Sequence, residues 1–172
     1  MELKYLPIFL DIKQRPCLII GGGTVARRKI SVLLKAGADV TVVAANYKTP
    51  QKNVHWIKRN YKKGDEKGFF LVVAATSDKN TSKLVFRECK KRKILINTAD
   101  NPDLCGFIFP SIVQRGDLVI AVSTSGCCPA FAKKIKKEIE LKYGREYADF
   151  IKLLGKIRSE VIQKISVQTR RK

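Results

Sequence analysis

The stretch CLIIGGGTVARRKISVLLKAGADVTVVAAN, residues 17–46, constrains the fold of this chain more than any other part of it. The apolar run 17–20 is typical of a strand buried on both faces of a parallel sheet, and three glycines follow it directly. Apolar residues then recur at helical spacing until Gly37, and the run 40–44 predicts a second strand. A strand, a glycine turn, a helix and a second strand together favour a dinucleotide-binding unit.

The glycine turn predicts where a phosphate would bind. Gly21 allows the tight turn out of the strand, and Gly23 lets the backbone approach a pyrophosphate without a clashing Cβ. The amides that follow begin a helix, where unpaired N–H groups and the helix dipole favour an anion. We therefore expect a cofactor to be bound by Gly21, Gly22, Gly23, Thr24 and Val25. The alternative is a plain tight turn without a ligand.

The glycine motif departs from the common dinucleotide fingerprint in two places. Ala26 replaces the third glycine, which is an accepted variant where helix and strand pack closely. No acidic residue follows the second strand; Ala45 and Asn46 stand there instead. Asn46 can hydrogen-bond a ribose hydroxyl but builds no cationic pocket for a 2′-phosphate. NAD is therefore the expected cofactor, and NADP stays open.

The alternation of strands and helices continues to residue 97. His55–Ile57 predicts an edge strand, Phe69–Ala74 a strong strand, and Ile94–Asn97 a further one, with a helix ending near Arg92 before it. Such alternation predicts a doubly wound parallel sheet, whose ligands bind at the carboxyl ends of the strands. We therefore expect the cofactor to contact also Ala75 and Thr76. An ordinary helix cap is the alternative for these two residues.

A carboxylate follows the last strand of this sheet, in the sequence NTADNPD. Asp100 lies in a loop at the same sheet edge, where it would be near a bound nicotinamide. A carboxylate there can act as a general base once its surroundings raise its proton affinity. The alternative is a turn-forming residue, because ADNPD is a good turn sequence.

The pattern changes after Pro102. Two short strands, Phe107–Phe109 and Leu118–Ser123, are expected to flank a turn at Gly116-Asp117, and helices are expected from Pro129 to about 143 and from Tyr147 to about 165. The predicted fold class is α/β: a Rossmann-type sheet, then a small strand-and-helix region and a short helical C-terminal domain. The expected domain bounds are 1–112, 113–145 and 146–172.

The composition narrows the function classes. The net charge of +20, from 35 basic and 15 acidic residues, points to nucleic acid, an anionic membrane or an acidic small molecule as partner, or to a basic host proteome. No helix-turn-helix or apolar span appears, so we expect neither nucleic-acid nor membrane binding. Five cysteines without a signal-like start suggest a reduced, cytoplasmic protein, and with His55 as the single histidine no metal site is expected.

Three segments carry a resemblance to a known family. They are LPIFLDIKQRPCLIIGGGTVARRKISVLLKAGADVTVVAA, LVVAATSDKNTS and INTADNPDLCGFIFPSIVQRGDLVIAVSTSGCCPAFAKKIKKEIE. Over about residues 3 to 160 the chain resembles the precorrin-2 dehydrogenase/sirohydrochlorin ferrochelatase family, also found as the amino-terminal half of fused siroheme synthases. The resemblance implies NAD-dependent oxidation of precorrin-2 to sirohydrochlorin, insertion of Fe²⁺ in some members, and a homodimer whose dimerisation region is the strand-and-helix region 113–145.

The resemblance also implies roles for individual residues. The family's essential aspartate matches Asp100, and the cofactor position matches Gly21–Val25 and Ala45–Asn46. Arg115 and Lys133 are candidates for contacts with the substrate carboxylates, although Arg115 could equally be a surface turn residue. Cys128 is a third candidate for substrate contact; it stands where many relatives have a serine, and a thiol is a weaker hydrogen-bonding group than a hydroxyl.

Two other functions stay open at this level. One is a dehydrogenase with the same fold that acts on a different acidic substrate. The other is a regulator that senses a dinucleotide and contacts nucleic acid through its basic surface.

Overall fold

The computed structural model describes residues 4–47, 51–99 and 101–169, with side chains described as far as residue 165. Eleven helices and strands and one 3-10 turn are formed in chain order. They are β1 (Pro16–Ile20), α1 (Thr24–Lys35), β2 (Asp39–Val43), β3 (Val54–Ile57), β4 (Leu71–Ala74), α2 (Lys79–Lys91), β5 (Leu95–Thr98), the 3-10 turn Pro102–Leu104, β6 (Ser111–Arg115), β7 (Leu118–Val122), α3 (Pro129–Lys142) and α4 (Tyr147–Thr169).

The first five strands form one parallel sheet in the order β3-β2-β1-β4-β5. β1 lies in the centre, and its residues are almost completely buried because neighbouring strands flank it on both sides. The chain winds outward from β1 in one direction through β2 and β3, and in the other through β4 and β5. The strand order therefore reverses between β1 and β4, which is where open sheets of this type bind ligands.

Both faces of the sheet are covered by helices. Val85 and Cys89 of α2 pack with Leu18, Val72 and Ile96 on one face. Residues that alternate with these point the other way, and α1 packs against β1 and β2 through its buried Ala26, Ile30 and Leu33. The predicted Rossmann-type α/β fold is confirmed. Cys17 and Cys89 are both buried in its core.

The structure corrects one predicted strand. The strand that precedes the Gly116-Asp117 turn is Ser111–Arg115, not Phe107–Phe109, because Arg115 pairs directly with Leu118 across the turn. Pro110 has no N–H to donate to a ladder. Residues 106 and 107 follow β5 instead: the Gly106 amide donates to the Ile96 carbonyl at 2.7 Å.

The chain divides into two compact units, Met1–Ile108 and Phe109–Lys172. The first contains the parallel sheet, and the second contains the antiparallel β6-β7 hairpin with α3 and α4 packed on it. The finer bounds expected at residues 112 and 145 stay predictions. Among the described residues, no helix combines the length and apolar character that crossing a membrane requires.

Candidate dinucleotide site

Three strand ends meet at the glycine turn. Gly21 follows β1 with φ of +112°, a conformation that favours glycine, and its amide donates to the Val43 carbonyl at the end of β2 at 2.9 Å. A Cβ on Gly21 would overlap the carbonyl oxygen of Ala75, at the end of β4. The turn can approach the neighbouring strand end this closely only because position 21 has no side chain.

Gly22 is packed against the other neighbour. A Cβ there would overlap the Asn46 carbonyl oxygen and lie 3.0 Å from the Cα of Tyr47. These two residues follow β2, so Gly21 and Gly22 touch the exits of the two strands that flank β1. At the strand-order reversal, the contacts of Gly21 and Gly22 with the neighbouring strand exits are therefore made between backbone atoms.

Gly23 differs from its two neighbours, because nothing lies within 4 Å of a Cβ built there. It caps α1, no side chain hydrogen-bonds the first amides of that helix, and the first turn contains no acidic residue. By contrast, Asp78 caps α2 and accepts from the Asn80 amide. The start of α1 therefore offers unpaired N–H groups beside open space, and the residues present fit a dinucleotide pyrophosphate.

Ala45 and Asn46, the residues expected at the ribose end, lie at the same sheet edge as the glycine turn, and ribose contact by them stays a prediction. Ala45 and Asn46 are exposed directly after β2, between the buried Ala44 and Tyr47. The Trp56 indole donates to the Ala44 carbonyl at 3.0 Å and packs edge-on against Tyr47, with ring centroids 5.3 Å apart. This aromatic pair holds the exit of β2 and leaves the Asn46 side chain accessible.

Ala75 and Thr76 lie at the same edge, after β4. The backbone of Ala75 supports the glycine turn, as described above, and the Thr76 hydroxyl accepts from the Asp78 amide at 3.2 Å. Thr76 thus takes part in the entry to α2, which was the alternative role considered for it. Cofactor contact by these two residues stays a prediction.

Asp100 lies outside the described residues. The backbone before it is held at the sheet edge, since the Ala99 amide donates to the Ala74 carbonyl at 2.9 Å. The backbone after it begins the 3-10 turn, where the Asn101 side chain accepts from the Asp103 amide at 3.0 Å. The exits of β4 and β5 are therefore adjacent, as the sequence predicts for the loop that carries Asp100.

Three polar residues near this edge were not singled out from the sequence. Burial and, less strongly, neighbouring Arg28 lower the pKa of Lys29 on α1 to about 8, with Cys105 acting in the opposite direction. Asn97 is buried on β5, and Cys105 hydrogen-bonds its side-chain amide. All three stand inside the segments that carry the family resemblance, but nothing local in those segments predicts which side chains meet.

The residues named as substrate contacts belong to the second unit. Arg115 donates through Nε to the carbonyls of Tyr143 at 2.9 Å and Gly144 at 3.1 Å, and through Nη2 to Glu140 at 3.3 Å. It therefore binds the C-terminal end of α3, where carbonyls lack helical partners. Lys133 and Cys128 are exposed on and before α3. Substrate contact by these three residues stays a prediction.

The remaining titratable residues form no recognisable metal centre. Across residues 4–47, 51–99 and 101–165, no three His, Cys, Asp or Glu side chains come together as metal ligands. His55 is exposed on the edge strand β3, and the five cysteines are unpaired.

The fold and the glycine turn define a Rossmann-type protein with a dinucleotide-binding edge. A family model described as NAD(P)-binding matches residues 8–111, which is more than half of the chain, and one described as the central part of sirohaem biosynthesis proteins matches residues 115–141. The chain therefore belongs to this NAD(P)-binding family, and the resemblance to the siroheme-forming dehydrogenases is confirmed.

Individual relatives agree with this placement. The chain is 38% identical to siroheme synthase 1 of Serratia proteamaculans over 95% of its own length and 36% of the relative. It is 40% identical to siroheme synthase 2 of Yersinia pestis, over 94% of the chain and 35% of the relative. The chain thus spans about a third of the length of these curated relatives. Among solved structures, SirC, a precorrin-2 dehydrogenase, superposes with a TM-score of 0.76 at 29% identity, covering 90% of this chain and 79% of that one.

Proposed function

We propose that this protein oxidises precorrin-2 to sirohydrochlorin with NAD⁺ as the hydride acceptor. The observation that carries the proposal is the open backbone at Gly23, at the start of an uncapped helix and at the strand-order reversal. The family match and the similarity to a precorrin-2 dehydrogenase support the choice of reaction.

Three parts of the chain have separate proposed roles in binding and in proton transfer. The amides that begin α1 bind the pyrophosphate, and Asn46 binds a ribose hydroxyl. NAD⁺, when bound, accepts two electrons and one proton from precorrin-2 as hydride. A second proton must leave the substrate to balance the reaction, and Asp100 is the base proposed to take it.

The charge of the chain suits the proposed substrate. Precorrin-2 carries many acetate and propionate carboxylates, and a protein with a net charge of +20 attracts such an anion over a distance. This attraction is screened by salt, so KM for precorrin-2 is expected to rise with ionic strength. Arg115 and Lys133 stay candidates for direct contacts.

The test is an anaerobic assay with precorrin-2 and NAD⁺, followed by NADH absorbance and by the spectrum of sirohydrochlorin. We expect both signals to rise together in a one-to-one ratio. NAD⁺ binding is measured separately through the fluorescence of Trp56, the single tryptophan of the chain. Dinucleotide binding without turnover, combined with retention of DNA, would replace the dehydrogenase with the regulator. Turnover of another acidic substrate alone would keep the chemistry and change the substrate.

We also propose that the protein is a homodimer that forms through its second unit. Six apolar side chains of α4 recur at three- and four-residue spacing and are between 43% and 53% exposed: Phe150, Leu153, Leu154, Ile157, Val161 and Ile162. A seam of this kind is typical of helix pairing. Sedimentation should give a dimer mass, and Ile157→Lys should lower it to the monomer while Lys156→Ala, on the same helix, does not.

Iron insertion and location are separate points of the proposal. Supplying sirohydrochlorin with Fe²⁺ tests whether siroheme forms above the spontaneous rate, as the family resemblance implies for some members. A cytoplasmic location stays a prediction from the cysteine pattern and can be checked by fractionation.

A further inference from the structure

Backbone and side-chain hydrogen bonds join the segment that follows position 100 to β5. Gly106 bonds the Ile96 carbonyl, and the Asn97 side-chain amide donates to the Phe107 carbonyl at 3.0 Å. The Thr98 hydroxyl donates to the Leu104 carbonyl at 2.9 Å. We call Asn97, Thr98 and Cys105 the β5 clamp.

Cys105 is the member of the β5 clamp that contacts both flanks of position 100. Its Sγ accepts from the Thr98 amide at 3.2 Å and lies 3.5 Å from the Asn97 Nδ2. The same sulfur lies 3.2 Å from the Thr98 carbonyl oxygen and 3.3 Å from that of Asn101. A thiol has one proton, so it donates to one of these carbonyls at a time. A single side chain therefore bonds the backbone two residues before and one residue after position 100.

The protonation state of Cys105 suits this role. Burial raises the pKa of the thiol, so the thiol keeps its proton at neutral pH and can donate. The Asn97 side chain is buried, with only 5% of the residue exposed. Its Oδ1 is buried with no hydrogen-bond partner among the described residues. An unpaired buried amide oxygen of this kind costs stability.

We propose that Cys105 is a positioning residue: the β5 clamp fixes the backbone of residues 98–99 and 101–107, on the two sides of position 100, and so supports the proton transfer proposed for Asp100. The proposal rests on the dehydrogenase function and on Asp100 as its base. Misplacing a catalytic group by about 1 Å costs on the order of 100-fold in rate. The clamp therefore matters more for kcat than for binding.

The first measurement needs no turnover. Hydrogen–deuterium exchange of the full chain is compared for wild type, Cys105→Ala and the control Cys127→Ala, which removes an exposed thiol. Amides from 98 to 107 should exchange faster in Cys105→Ala alone. Unchanged exchange in that peptide would overturn the β5 clamp whether or not the protein oxidises precorrin-2, so this arm stands apart from the proposed function.

The second measurement separates positioning from plain stability. Cys105→Ala should lower kcat about 10-fold to 100-fold with little change in KM for NAD⁺ or in the thermal midpoint. Cys105→Ser should recover most of kcat, because a hydroxyl can accept and donate at the same place. Thr98→Val, which keeps the side-chain shape and removes the bond to Leu104, should lower kcat in the same direction. The inference would be overturned if the wild type is active and Cys105→Ala has the same kcat. It would also be overturned if the kcat of Cys105→Ser is no higher than that of Cys105→Ala.

Discussion

The carbonyl oxygen of Asn46 lies so close to the Cα of Gly22 that any Cβ at position 22 would overlap it. The contact joins the turn after β1 to Asn46, three residues beyond the end of β2, two places that are 24 positions apart in the chain. Gly23, one residue further on, faces open space instead. The two glycines therefore differ: position 22 has no room for a side chain, whereas position 23 faces open space where the proposed NAD⁺ would bind.

This difference predicts opposite outcomes for two alanine variants. Gly23→Ala should keep the free energy of unfolding within about 1 kcal/mol of wild type and weaken NAD⁺ binding about tenfold or more, because its methyl occupies the space beside the helix amides. Gly22→Ala should lower the free energy of unfolding by about 1–3 kcal/mol. Urea unfolding and the Trp56 fluorescence titration measure the two effects. Gly155→Ala, in an open position inside α4, is the matched control: it should leave NAD⁺ affinity unchanged and raise the free energy of unfolding by about 0.5–1 kcal/mol, because alanine has the higher helix propensity. Equal NAD⁺ affinity in Gly23→Ala and wild type would contradict the site.

The proposed base gives the second prediction. Asp100→Asn should bind NAD⁺ like the wild type and lower kcat by about 100-fold or more, since general-base catalysis contributes on that order. Stopped-flow absorbance of NADH measures the rate, and the fluorescence titration serves as the binding control. Asp103→Asn, in the 3-10 turn after it, tests whether any nearby carboxylate would have the same effect. Wild-type turnover by Asp100→Asn would remove this residue from the mechanism.

The buried carboxylate of Glu66 gives a prediction on pH. Burial acts to raise its pKa, but hydrogen bonds from Tyr61, the Gly64 amide and Arg92 outweigh burial and hold the pKa below the ordinary 4.5. Above pH 4.5 the folded and unfolded states both carry the ionised group, and its stabilising contribution is fully present. As the pH falls through the lowered pKa, the unfolded state binds the proton first, and the contribution is lost.

Glu66→Gln should therefore lower the free energy of unfolding by about 2 kcal/mol at neutral pH. The difference from wild type should shrink as the pH falls below 4.5. Urea unfolding at a series of pH values measures both. The control is Glu138→Gln, because Glu138 is exposed on α3. This variant should leave the pH dependence of the free energy of unfolding below pH 4.5 the same as in wild type. A constant difference at all pH values would mean that the charge of Glu66 is not what stabilises the fold.

Arg115 gives the fourth prediction, because its guanidinium reaches three carbonyls at the end of α3. A lysine has no planar fork and cannot reproduce these bonds. Arg115→Lys should lower the free energy of unfolding by about 1–3 kcal/mol, measured by urea unfolding, and KM for precorrin-2, measured alongside, tests the substrate contact predicted for Arg115. Lys133→Met is the comparison, since that exposed side chain is named for substrate contact without a structural role. A raised KM with unchanged stability in Arg115→Lys would assign Arg115 to the substrate instead.

The sequence predicted the parallel sheet well where local signals were strong. The run 17–20, the glycines and Gly37 delimit β1 and α1 with little error, since each signal acts within a few residues. The prediction of a strand at Phe107–Phe109 was wrong because the structure of that segment depends on distant parts of the chain. That segment is apolar enough for a strand, but its partner is decided by the turn at Gly116 and by the edge of β5, and neither can be read from residues 107–109 themselves.

By itself, the sequence determined the class of fold and the position of the glycine turn, because periodicity and glycine conformations are local properties of the chain. The tertiary structure alone decided that Asn46 and Ala75 close on the first two glycines and leave the third open. It alone also brought Cys105 to both sides of position 100 and Arg115 to the end of α3. Such contacts depend on strand order and on the course of distant loops, which are set by the packing of the whole core rather than by neighbouring residues.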